Sequence, residues 1–192
     1  MVQKFKTLSA AIALAEFAHR NQTDKAGYGY IEHPRRVLAK VQAQGAQPYV
    51  QMAAILHDVT EDTAFTHEML LDLGFSEAVV NIVKLLDRDY SKTIYDGYVR
   101  AVTANPENLW WTGKGYIPQD QRPTADEFYY EQIKRNPGAL MVKLDDIEDN
   151  LSPWRLAYLS EDTQKRLKTK YAKARQILQP GVWTSSSFPH NA

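Results

Sequence analysis

The chain has 192 residues, 44% of them hydrophobic, which is enough to bury the core of one domain and leaves little room for two. Its 23 Lys plus Arg balance 23 Asp plus Glu, which excludes both the basic field of a nucleic-acid binder and the acidic excess of a disordered chain. With no cysteine, disulfides and thiolate metal sites are excluded, so any metal must rest on imidazoles and carboxylates, and the setting expected is cytoplasmic.

Leu8, Ile12, Ala15 and Ala18 recur at helical spacing behind Thr7 or Ser9 as caps and predict a first helix to about Arg20. Glu16 interrupts this run and His19-Arg20-Asn21 follows it, so it does not read as a signal peptide, and no apolar stretch nears the roughly 18 residues that span a bilayer. His19 falls at the helix end, where a cation is favoured. Asp24-Lys25-Ala26-Gly27-Tyr28-Gly29-Tyr30 reads as a loop, and Pro34 fits the first turn of a second helix buried through Val37, Leu38 and Val41 and stopped by Gly45. That places His33 just ahead of the helix, between the loop and a stiff proline.

Pro48 opens a third helix, which carries Ala53-Ala54-Ile55-Leu56-His57-Asp58-Val59-Thr60-Glu61-Asp62-Thr63. If the helix runs through, His57 and Glu61 share one face and Asp58 and Asp62 the adjoining one. Packing has little use for three carboxylates and an imidazole at the end of a buried helix, because their desolvation costs several kcal/mol unless a cation compensates. A divalent metal is the simplest explanation.

Thr66 caps a short helix ended by Gly74, and Ser76 caps another to about Leu86. After the polar break Asp87-Arg88-Asp89, a sixth helix is expected from Thr93 to Ala104. Residues 105–123 are punctuated by Pro106, Gly113, Gly115, Pro118 and Pro123, yet contain Trp110, Trp111, Tyr116 and Ile117. Disorder tends to lack such aromatics, so an ordered flap is expected, with an aromatic plug over a core edge as the other reading. No alternating β pattern of useful length is evident.

Thr124-Ala125-Asp126-Glu127 has capping-box form, Pro137 can open a helix leading to Asp145-Asp146-Ile147-Glu148-Asp149-Asn150, and Ser160 can cap a last helix ended by Pro180-Gly181. Residues 1–179 then form one all-α domain with the insertion at 105–123, and 180–192 form a tail. Asp146, Asp149 and Asn150 share a helical face. Taken alone they read as a solvated face, but two acidic clusters together with a loop-fixed histidine point to a mixed nitrogen and oxygen site. Such a site suits Mn2+, Fe2+, Co2+ or Zn2+ better than Mg2+.

Three ordered words carry a resemblance: Gly27-Tyr28-Gly29-Tyr30-Ile31-Glu32-His33-Pro34, the stretch from Ala53 to Thr63, and Val142-Lys143-Leu144-Asp145-Asp146 with Asn150-Leu151 beyond. Over about residues 8 to 178, the insertion apart, the sequence resembles the HD-domain phosphohydrolases and, within them, the small alarmone hydrolases related to the hydrolase domain of RelA/SpoT homologues. The resemblance implies an all-α HD-domain bundle in which His33, His57, Asp58 and Asp146 bind a metal, typically Mn2+. It implies further that Glu61 and Asp62 orient or deprotonate the attacking water, that Asn150 contacts the nucleotide, and that Lys25 is the loop lysine.

The implied activity is removal of the 3′-pyrophosphate from ppGpp or pppGpp, or from the adenosine analogues ppApp and pppApp. The implied partner is a small nucleotide rather than nucleic acid or membrane. Arg88 is a second candidate cation for the anionic substrate, and Lys143 a partner for a nearby carboxylate. Where better-known relatives carry Arg-Lys in the loop, this chain has Asp24-Lys25, and a carboxylate accepts hydrogen bonds from base N–H groups but cannot stack as a guanidinium does. An HD-type nucleotidase and a non-catalytic nucleotide-binding module are the competing readings.

Overall fold

The computed structural model describes residues 6–25, 27–104, 109–111, 116–118 and 121–179. Helices run as α1 (Leu8–His19), α2 (Glu32–Ala43), α3 (Pro48–Leu56), α4 (Val59–Asp62), α5 (His67–Asp72), α6 (Glu77–Leu86), α7 (Arg88–Thr103), α8 (Ala125–Lys134), α9 (Pro137–Asn150), α10 (Pro153–Leu156) and α11 (Glu161–Leu178). Four of the expected caps hold: the Thr7, Thr66, Thr124 and Ser160 side chains accept from backbone amides of their first turns, and Thr124 and Glu127 close a capping box, whereas Ser76 stands at the N-cap of α6 without a side-chain capping bond. The all-α class expected from the spacing is the one observed.

The core is built on α3. Ala53, Ala54, Ile55 and Leu56 are fully buried, and α3 packs against α1, α2, α6 and α9. Burying each of the larger side chains is worth about 1.5 to 3 kcal/mol, so the residues leading into His57 and Asp58 lie in the best-anchored part of the chain. α9, the other carrier of acidic residues, crosses α3 and α6 at Gly138. A Cβ there would stand 2.8 Å from Ile82 Cδ1 and 3.1 Å from Val50 Cγ2, so only glycine permits this approach unchanged.

Three elements differ from the spacing-based reading. α3 ends at Leu56, and His57 and Asp58 form a turn before the single-turn α4, so the helix does not run through and the four polar residues do not share two adjoining faces. α7 begins at Arg88 rather than Thr93: Asp87 is its N-cap, with Oδ1 accepting from the Tyr90 amide at 2.8 Å, so the polar residues start the helix instead of breaking it. His33 lies inside the first turn of α2, not ahead of it.

The insertion is not strand-free. β1 (Leu109–Trp111) pairs antiparallel with β2 (Tyr116–Pro118), Trp110 opposite Ile117. Aromatic and β-branched residues favour extended backbone, and the runs are too short for alternation to be visible in the sequence. Residues 105–108, 112–115 and 119–120 of the insertion, like the 180–192 tail, lie outside the described residues. Among the described residues no helix is long and apolar enough to cross a membrane.

Candidate metal centre and its surroundings

The break between α3 and α4 explains how adjacent residues reach one point. On a continuous helix, neighbouring side chains diverge by about 100°. Here Asp58 sits at φ −99°, ψ −3°, and its Oδ2 comes within 3.2 Å of His57 Nε2. The first turn of α2 brings His33 Nε2 to 3.7 Å from the same Asp58 oxygen. α9 supplies Asp146, whose Oδ1 is 3.1 Å from His33 Nε2 and 3.9 Å from His57 Nε2. One donor atom from each of His33, His57 and Asp58 lies within 4.8 Å of the others. Donors about 2.1 Å from a shared ion would show separations of this order.

Each imidazole is oriented from behind. His57 Nδ1 lies 2.8 Å from the Ala54 carbonyl and donates to it, leaving a buried Nε2 with no hydrogen-bond partner. His33 Nδ1 meets Asp149 Oδ2 at 2.7 Å, and that carboxylate is also bound by Arg36 Nε at 2.7 Å and Arg155 Nη1 at 2.8 Å. Pairing of the far nitrogen with a carboxylate or carbonyl is the arrangement that turns Nε2 toward a metal as a lone-pair donor. The orphaned Nε2, the mixed donor set and these rear hydrogen bonds fit a divalent transition metal.

The electrostatics agree. Burial alone would lower the His33 pKa, but Asp146 and Asp149 outweigh it and raise it to about 9. Without a metal, the proton on His33 supplies the positive charge this pocket of carboxylates requires. Burial opposes ionisation of Asp146, yet Lys143, 2.7 Å from Oδ2, and His33 hold it well below the usual carboxylate range. Asp149 is likewise depressed, against burial, by His33, Arg36 and Arg155.

Glu61 and Asp62 ride on α4 beside this centre. Glu61 is exposed as a residue, but its carboxylate is turned onto the chain, with Oε2 accepting from the Arg88 amide at 2.8 Å. Loss of water raises its pKa to about 7, with Asp58 adding to the rise and the Arg88 N–H opposing it. Asp62 is raised by burial and by Asp58, and its Oδ2 meets the Tyr30 hydroxyl at 2.8 Å. Tyr30 also reaches Asp58 Oδ2 at 2.7 Å, and burial with these two carboxylates keeps it protonated.

Lys25 is exposed in the loop before α2. Asp24 Oδ1 accepts from the Tyr28 amide at 3.0 Å and helps close that loop, with Gly27 at φ 85°. Asn150 Nδ2 donates to Asp146 Oδ1 at 2.6 Å, so in this structure its amide orients a candidate ligand. The Arg88 guanidinium is held by Asp126 and by the Tyr130 hydroxyl at 2.9 Å and lies 4.5 Å over the Tyr129 ring. Lys143 pairs with Asp146, as expected for a lysine among buried apolar residues.

The acidic stretch of α9 is not a solvated face. Asp145, Asp146 and Asp149 are all buried, and Gln44 Nε2 donates to both Asp145 oxygens. His19 does end α1, but it is buried against Tyr30, with Nδ1 at 2.7 Å from Gln22 Oε1. No sequence signal noted above singles out Tyr30, Arg36 or Arg155, or a role for Asp149 behind His33. Tyr30 lies within the 27–34 word, beside His33, which is a signal for it; the arginines carry no local signal, since only the tertiary fold brings them to Asp149.

No family model matches the chain. Over 113 residues it is 36% identical to the bifunctional (p)ppGpp synthase/hydrolase SpoT of Escherichia coli, the match covering 55% of this chain and 16% of SpoT. It is 29% identical over 110 residues to a guanosine-3′,5′-bis(diphosphate) 3′-pyrophosphohydrolase of Aquifex aeolicus, again covering 55% of this chain and 16% of the relative. The chain thus spans well under a fifth of the length of these curated relatives. A metazoan ortholog of SpoT, which hydrolyzes ppGpp and plays a role in starvation responses, matches in structure with a TM-score of 0.63 at 18% identity, over 94% of this chain and 89% of that one. The resemblance drawn from the three sequence words is borne out, by sequence to SpoT hydrolases and by fold to the metazoan ortholog.

Proposed function

We propose that this chain, which shares its fold with the metazoan SpoT ortholog and is 36% identical over 113 residues to the SpoT of Escherichia coli, removes the 3′-pyrophosphate from an alarmone nucleotide in a metal-dependent reaction. One observation carries the proposal: His33, His57, Asp58 and Asp146, from three separate pieces of chain, converge with a buried unpartnered imidazole nitrogen among them. These four would hold the metal, with Mn2+ the ion expected. When bound, such an ion offsets charge on phosphoryl oxygens and acidifies a water.

The chain's own residues supply the rest. Releasing pyrophosphate as a unit means cleaving the ester between the ribose 3′ oxygen and the nearer phosphorus. Water must therefore lose a proton as it attacks, and the 3′ oxygen must gain one as it leaves. Glu61, with its pKa near 7, accepts the proton from water, and Asp62, fixed by Tyr30, orients that water. Lys25 faces the anionic substrate from its loop. Asp24, Asn150 and Arg88 are the further substrate contacts in this reading, Asn150 acting also on Asp146 and Arg88 through its hold on Glu61. A cytoplasmic nucleotide pool is the setting it implies.

The test is incubation of purified protein plus Mn2+ with ppGpp and, separately, ppApp. Pyrophosphate release from one or both is expected, and the ratio fixes base preference. No release from either, with orthophosphate freed from nucleoside monophosphates instead, would replace the alarmone assignment with an HD-type nucleotidase.

A further inference from the structure

Beyond the metal-type centre, α8 and α11 leave a groove of about 1080 Å3 between them. Along one wall stand Arg166, Lys170 and Lys173, at the i, i+4, i+7 spacing of a single helical face. They span about 10 Å, the scale of several linked phosphates rather than of one ion. From 165 to 175 the helix carries Lys165, Arg166, Lys168, Lys170, Lys173 and Arg175 and no carboxylate, in a chain whose charges balance overall. Asp126, Glu127 and Asp162 also line the groove, but they belong to the first turns of the two helices, and Asp126 is engaged with Arg88.

Among the described residues, Arg166, Lys170 and Lys173 form no ion pair with a carboxylate. Lys170 is held below its ordinary pKa by lost water and by the nearby Arg88 and Lys143. A wall of unneutralised cations in a concave surface is an electrostatic demand for a polyanion. Arg88 links the groove wall to the candidate catalytic carboxylate. Asp126 and Tyr130 line it and grip the Arg88 guanidinium, while the Arg88 amide donates to Glu61.

We propose that this groove binds a chain of linked phosphates outside the metal-type centre and is coupled to Glu61 through Arg88. The binding half stands without the hydrolase reading; the coupling half rests on it. Two sources share this chemistry: the 5′-phosphates of the substrate itself, or a separate oligophosphate acting as an effector.

Calorimetric titration of inorganic tripolyphosphate into the metal-free full chain tests binding. One saturable site is expected, weakened at least tenfold in Lys173→Glu. It should stay within about twofold in Lys168→Glu, which makes the same kind of charge change on α11 outside the groove. Absence of binding, or equal losses in both variants, would overturn the site, and matched thermal midpoints would exclude unfolding as the cause.

Steady-state hydrolysis at fixed free Mn2+ then tests coupling. Competitive inhibition by tripolyphosphate would assign the groove to the substrate's own 5′-phosphates, and a change in kcat at saturating nucleotide would assign it to a separate effector. An unchanged rate at concentrations that fill the calorimetric site would overturn the link to Glu61. If no nucleotide were hydrolysed at all, the proposed function would fail while the calorimetric result stood.

Discussion

At the scale of single residues, the site separates groups that hold charge from groups that move protons. Glu61→Gln keeps the side chain's size and its contact with the Arg88 amide but removes the base. The expected outcome is unchanged metal content and a fall in kcat of about 100-fold or more. In the unsubstituted protein kcat/KM should rise with pH along a limb at or below about 7, since the raised Glu61 must ionise to act and a bound dication pulls its pKa down. That limb should vanish in Glu61→Gln; its persistence would move the base elsewhere.

Asp149→Asn tests the support behind His33. Metal affinity should fall by about 10- to 100-fold with the four ligands intact. A linked pH effect follows from His33 itself. Its folded-state pKa of about 9 exceeds its ordinary value, so the metal-free fold gains stability that is complete below about pH 6.5 and is lost as pH rises through about 9. The loss, about 3 kcal/mol at most, should appear as a falling thermal midpoint of metal-free protein over that window. Metal-loaded protein should not show it, because the ion replaces the proton.

Among the elements, what was legible depended on whether the signal was local. Caps such as Thr7, Thr66 and Thr124 and openers such as Pro48 and Pro137 act on their own first turn, and their helices begin where the sequence places them. Asp87 was misread because a polar run can break a helix or cap one, and only the Tyr90 amide decides. The stop after Leu56 has no glycine or proline to announce it. It follows from tertiary demand, with Thr60 Oγ1 donating to Asp87 Oδ2 at 2.9 Å and tying α4 to the start of α7. The three-residue strands of the insertion are too short to leave a period.

Gly138 is the element-scale test. Adding one methyl in Gly138→Ala forces α9 away from Ile82 and Val50, which should cost about 1 to 3 kcal/mol in urea unfolding despite alanine's better helix propensity. Because α9 also carries Asp146, metal affinity should fall in the same variant. Unchanged stability would show that α6 yields instead and that the helix crossing does not position the ligand.

For the molecule as a whole, the fold gathers one apolar helix end, one first turn and one acidic helix around a shared point. The ordered words at 27–34, 53–63 and 142–151 made His33, His57, Asp58 and Asp146 legible as a set through the family resemblance they carry, since the residue types alone show only that a mixed nitrogen and oxygen site is possible. The rear hydrogen bonds from Arg36 and Arg155 to Asp149 were not legible, since they join positions more than a hundred residues apart or lie on a helix of a single turn.

Titrating Mn2+ into metal-free protein and following the loss of its free-ion paramagnetic resonance measures whether these side chains form one centre. One equivalent should bind to the unsubstituted chain, with affinity falling at acid pH as His33 holds its proton, and Asp146→Ala and His57→Ala should each abolish that equivalent while the fold persists. Stoichiometric binding that survives both substitutions would contradict a centre built from His33, His57, Asp58 and Asp146.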